Sequence, residues 1–145
     1  MNKFTRFLFK DIHKGLLAAL LLSLFANVAD AQIYASCVHK DIYVYNEKTD
    51  DFDFNNGFDE KSMFKTNAES MLEHTHSDGK DSYFVKSSEF DEESQTLTME
   101  VVDEEGDPYT FLWQLKDNFV KALFSIDGTV YMAMYTVKNF WTDEE

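Results

Sequence analysis

Tyr109 to Lys138 reads YTFLWQLKDNFVKALFSIDGTVYMAMYTVK, three apolar-rich runs separated by Asp117-Asn118 and Asp127-Gly128. Asp-Gly between alternating runs is a strong hairpin signal, because a type I′ turn needs φ > 0 at both central positions. Asp-Asn is a weaker form of it. Two two-residue turns predict a register in which Leu115 faces Val120, Trp113 faces Ala122 and Phe111 faces Phe124. Beyond the second turn Phe124 faces Tyr131, Ala122 faces Ala133 and Val120 faces Tyr135. One wall then carries Tyr109, Phe111, Trp113, Leu115, Val120, Ala122, Phe124, Tyr131, Ala133 and Tyr135 with no charge among them, and such a wall is a core. The row Trp113–Ala122–Ala133 sets one large ring against two small residues, as a close-packed layer requires.

Upstream, Leu97, Met99 and Val101 alternate with Thr96, Thr98 and Glu100, the pattern of a strand with one wet face. A five-residue loop over Glu104–Pro108 pairs Val101 with Phe111, Met99 with Trp113 and Leu97 with Leu115, keeping every apolar residue on the core wall. A loop of four would bring Glu100 there, since a one-residue slip reverses the faces. Asp81–Ser88 and Gln95–Asp103 read as strands around Asp91–Ser94, and Ser62–Asn67 and Met71–His76 as strands around a turn at Asn67–Ser70. A short helix over Glu60–Leu72 is the rival there. Asp78-Gly79 is a further two-residue turn, placing His76 opposite Asp81 and His74 opposite Tyr83. Ile42–Tyr45 is the first solid strand, preceded by a lead-in over Gln32–Lys40 with no clear period.

Residues 1–31 have the form of a secretory signal. Lys3, Arg6, Lys10 and Lys14 precede an apolar stretch, Gly15–Ala26, and Ala29-Asp30-Ala31 supplies a small-x-small cleavage pattern. The remainder, 32–145, is expected to be a single β-rich domain in a secreted or periplasmic setting. Membrane attachment would come only through an uncleaved leader or a lipid on Cys37. The whole chain carries a formal net charge of −14, and loss of the four basic leader residues makes the remainder more acidic still. Nucleic acid is excluded as a partner, because binding it draws on clustered Lys and Arg. A single cysteine makes no internal disulfide, so the fold depends on its core.

DFDFNNGFDE, residues 51–60, has acidic or amide residues at loop positions 1, 3 and 5 of a calcium loop. The glycine comes one position late, and Ser62 stands where a bidentate carboxylate is needed. Strand and turn is the better reading. His74-Thr75-His76 is the one constellation with metal character: alternation puts both imidazoles on one side of a strand, and Asp81 on the next strand adds a carboxylate. His74, His76 and Asp81 are therefore the candidate metal ligands, with no fourth protein ligand in sight. His39 reads as a solvated histidine. Cys37 near His39 lacks the environment that activates a thiol, no hydrolytic triad or phosphate-cradling loop is visible, and no cofactor is implied.

The reverse face of the three-strand block carries Leu112, Leu123, Met132 and Met134 among Gln114, Lys121, Thr136 and Lys138. Apolar residues on an outward face suggest an interface, unless the N-terminal residues or a second subunit cover them. The expected fold is all-β: an antiparallel up-and-down meander of seven or eight strands, closed or strongly curled into a barrel-like sheet. If it stays open, the Ile42–Glu60 region would lie across its mouth or concave face. In architecture this resembles small calycin-type barrels, although the Gly-x-Trp pattern of lipocalins is missing. That resemblance implies ligand binding in the lumen. The function expected is an exported, non-enzymatic binding module for a small apolar ligand or a protein partner. The alternative is an acidic inhibitor or accessory protein whose loops Asp91–Ser94 and Glu104–Pro108 engage a basic secreted enzyme.

Overall fold

The computed structural model describes residues 32–143; the leader read from residues 1–31 lies outside them. Eight strands run in chain order: β1 (Ile33–Asn46), β2 (Asp51–Thr66), β3 (Met71–His76), β4 (Gly79–Asp91), β5 (Thr96–Asp103), β6 (Pro108–Gln114), β7 (Phe119–Ile126) and β8 (Thr129–Thr142). Each pairs antiparallel with the next, and β8 returns to β1 to close a barrel. Closure satisfies the edge hydrogen bonds that an open meander would leave exposed. Ile42–Glu60 lies across nothing: it forms the far half of the long β1–β2 hairpin. No residue between 32 and 143 is helical, so the helix over 60–72 is not formed.

The lead-in is wrong. Residues 33–40 are the first half of β1, with Ile33, Ala35 and Cys37 in the core. A bulge at Val38, where pairing to both neighbours shifts between Cys37 and His39, hides their period. Interior positions are odd-numbered before it and even-numbered after it, so Lys40 and Ile42 turn inward.

Asp127-Gly128 forms the expected two-residue turn, with φ 51° and 83° and Ile126 paired to Thr129. Phe124–Tyr131, Ala122–Ala133 and Val120–Tyr135 pair as the sequence predicts. The other reversals differ by two residues. Gln114 pairs with Phe119, so Trp113 lies opposite Val120 and Phe111 opposite Ala122. Leu115 leaves the ladder, donates its N–H to the Gln95 carbonyl at 3.0 Å and buries its side chain. Filling the end of the barrel with that leucine outweighs extending the hairpin by one more pair. Between β5 and β6 the five residues between paired positions are 103–107, not 104–108, giving Val101–Tyr109, Met99–Phe111 and Leu97–Trp113. Between β3 and β4 the turn is Ser77-Asp78, so His76 pairs with Gly79, His74 with Asp81 and Leu72 with Tyr83. An even shift keeps every side chain on its predicted face. The large-against-small row is therefore Phe111–Ala122–Ala133.

The base of the barrel is solid. Trp113 packs on Phe140 (6.0 Å between ring centroids), and Phe64 reaches in from β2 to meet Phe111, Trp113 and Tyr135 at 5.8, 6.2 and 5.0 Å. The turn at Asn67–Ser70 caps that end: Asn67 Oδ1 accepts the N–H groups of Glu69 and Ser70 at 3.0 and 2.9 Å, and Ala68 is buried beneath.

Candidate functional site

The opposite end is hollow. A cavity of about 390 Å³ opens there, with Phe111 and Tyr135 among the rings below it. One wall is β7 and β8, where Ala122 and Ala133 sit side by side and leave room. The facing wall, four strands around, is β3 and β4 with His74, His76, Asp81 and Tyr83. Lys40, Phe58 and Glu60 from the β1–β2 hairpin and Phe124 from β7 complete the rim. A layer with two adjacent alanines cannot fill an eight-stranded barrel, so the space follows from the sequence at those two positions.

The polar groups of this cup differ in their partners. His74 is 4% exposed and lies flat against Phe64, with centroids 4.0 Å apart and planes within 6°. Its Nε2 is buried with no hydrogen-bond partner among the described residues. Burial, with the positive charges of His76 and Lys40 adding to it, lowers the His74 pKa to about 4, so the ring is neutral near pH 7. His76 Nε2 meets Asp81 Oδ2 at 2.9 Å, and His76 Nδ1 accepts the Asp78 N–H at 3.3 Å. The His74 and His76 ring centroids are 5.0 Å apart. Burial also pushes the Tyr83 and Tyr135 phenols up, so both stay protonated as hydroxyl groups. Lys40 Nζ stands over the Tyr135 ring, 5.3 Å from its centroid, a cation–π contact inside the mouth.

No protein-family model, no curated protein and no solved structure matches this chain.

The histidine pair and Asp81 come together as the sequence predicts, by a diagonal contact rather than the direct pairing expected of His76 and Asp81. Lys40, Phe58 and Glu60 were not foreseen. The Val38 bulge conceals Lys40, and reading residues 51–60 as strand and turn conceals Phe58 and Glu60, which continue β2. Gly57 is a strand residue whose missing side chain makes room: a Cβ there would collide with Asp41 Oδ1. Asp41 in turn accepts from His39 Nε2 at 2.9 Å, and Asp59 meets His39 Nδ1 at 2.7 Å. His39 is thus paired on both ring nitrogens. Cys37 is 2% exposed in the interior, and burial raises its thiol pKa to about 12.

Leu112, Leu123, Met132 and Met134 lie outward and half-buried. Among the described residues the N-terminal segment does not cover them; β1 runs beside β8 in the wall. Leu123 faces Met132, Met132 faces Tyr43, and Tyr43 faces Phe54. Lys121 separates Leu112 from Met134, so the apolar row is Leu123–Met132–Tyr43–Phe54, ending in a phenylalanine that is 62% exposed.

Proposed function

We propose that this chain is an exported, non-enzymatic binding protein that holds one small, largely apolar molecule in the open end of its barrel. The observation carrying this reading is the cavity of about 390 Å³ above a filled base. Its volume falls within the roughly 300–1,000 Å³ range of small-molecule sites. Aromatic rings supply apolar contact. Neutral His74 and the hydroxyls of Tyr83 and Tyr135 offer hydrogen bonds at fixed points among the rings, and Lys40, Glu60, Asp78 and Asp81 add polar groups at the mouth. Export rests on the leader read from residues 1–31.

The test is titration with the fluorescent probe 1-anilinonaphthalene-8-sulfonate. The folded protein is expected to bind one equivalent. Ala133→Leu, which fills the space beside Ala122, should weaken binding by about tenfold, whereas Met132→Ala on the outer surface should not. Equal binding by both variants would place the probe elsewhere and refute the reading.

A second reading has one observation in its favour. The outward row ending at Phe54 is contiguous and apolar, which suits contact with a protein partner. The inhibitor reading meets a geometric obstacle. Asp91–Ser94 and Glu104–Pro108 lie at opposite ends of β5, eight residues long and so roughly 25 Å apart at about 3.3 Å per residue. An enzyme surface would engage both only by lying along the barrel wall rather than across one end.

A further inference from the structure

We propose that His74, His76 and Asp81 form a binding site for one divalent transition metal of the zinc class, at the edge of the cup. One nitrogen from each imidazole and one carboxylate oxygen lie within 4.8 Å of one another. Ligand atoms around a tetrahedral zinc are about 3.3 Å apart, given bonds of about 2.0–2.1 Å. The closing movement is therefore about 1.5 Å at most, within reach of side-chain rotation, and His76 and Asp81 are already at 2.9 Å.

Three features make this more than proximity. His74 and His76 are two residues apart on one strand, which aims both rings into the same space, and Asp81 comes from the adjacent strand. Packing on Phe64 and Tyr135 fixes the His74 ring, so one ligand is held before any metal arrives. Its Nε2 has no hydrogen-bond partner among the described residues, and an unmet buried nitrogen has a reason to exist if a cation completes it. Metal entry would replace the hydrogen bond between His76 and Asp81. The remaining coordination position would face the cavity, open to water or to a donor atom of a guest. Carboxylates at the same end, among them Glu60 and Asp78, raise the local concentration of cations. Neutral imidazoles with one carboxylate suit zinc better than calcium or magnesium, which take oxygen ligands.

The site does not depend on the apolar-ligand reading, because it requires these three side chains and no lumen. The experiment is calorimetric titration of chelator-treated protein with zinc, repeated with cobalt(II) to read its visible absorption spectrum. One equivalent should bind with a micromolar or lower dissociation constant, and cobalt should give the intense visible bands of a four-coordinate site. His76→Gln and His74→Phe should each weaken binding by at least about tenfold, while His39→Gln, on the outer surface, should leave it unchanged. His76→Gln alters a rim residue and keeps the test valid if His74→Phe perturbs the core. Absence of binding at about 100 µM zinc, or binding that His76→Gln leaves intact, would overturn the proposal.

Discussion

His74 and Phe64 lie face to face across the β2–β3 pairing, ring centroids 4.0 Å apart and planes within 6°. Phe64 is completely buried and touches rings from the opposite wall, so it is the hinge between the filled base and the hollow mouth. Phe64→Ala should cost about 3–5 kcal/mol, because it removes transfer free energy and leaves a cavity. Denaturant unfolding checks this. A loss below about 1 kcal/mol would mean that Phe64 does not span the interior.

The pKa values of His39 and His74 should be shifted in opposite directions. The unfolded chain protonates His74 near pH 6.5, whereas the fold keeps it neutral down to about 4. The unfolded state therefore binds more protons in that window, and stability is full above pH 6.5 and lost as pH falls toward 4. The loss approaches about 3 kcal/mol, at about 1.4 kcal/mol per pKa unit. His39 is raised, first by Asp59 and then by Asp41. Its contribution is full below pH 6.5 and disappears as pH rises through its raised value. Side-chain NMR of the metal-free protein should show His39 protonating first and His74 last as acid is added: His39 above the ordinary value, His74 far below it. A His74 resonance titrating near 6.5 would show that its ring is solvated.

Gly57 faces Asp41, and a Cβ at that position would meet the Asp41 carboxylate. Gly57→Ala should push Asp41 away from His39 and bring the His39 pKa down, while Asp59 continues to hold Nδ1. A His39 titration unchanged in G57A would show that Asp41 moves aside without giving up its hydrogen bond.

Much of this architecture was legible because alternation and turn chemistry act locally. Asp127-Gly128 set its register correctly, and Asn67–Ser70 formed the turn its side chains favour. The registers that slipped all slipped by two residues, which leaves faces unchanged and makes a wrong pairing look right from the pattern alone. What selected the true register was tertiary. Leu115 is worth more as a plug at the barrel end than as a rung of the hairpin. The Val38 bulge is tertiary in the same sense: nothing in SCVHK announces that parity changes there, and with it Lys40 enters the mouth. The histidine cluster was readable because two-residue spacing on a strand survives any even slip. The cavity was not, because it arises from the coincidence of Ala122 and Ala133 with a facing wall of histidines fixed by closure.

The claim that the open end of this barrel holds a guest is tested most directly by native mass spectrometry of the protein purified from its own host. The account predicts a stoichiometric adduct of small-molecule mass on the wild-type chain, reduced or absent in Ala133→Leu. A wild-type protein that flies at its bare mass, or an adduct that Ala133→Leu retains in full, would contradict it.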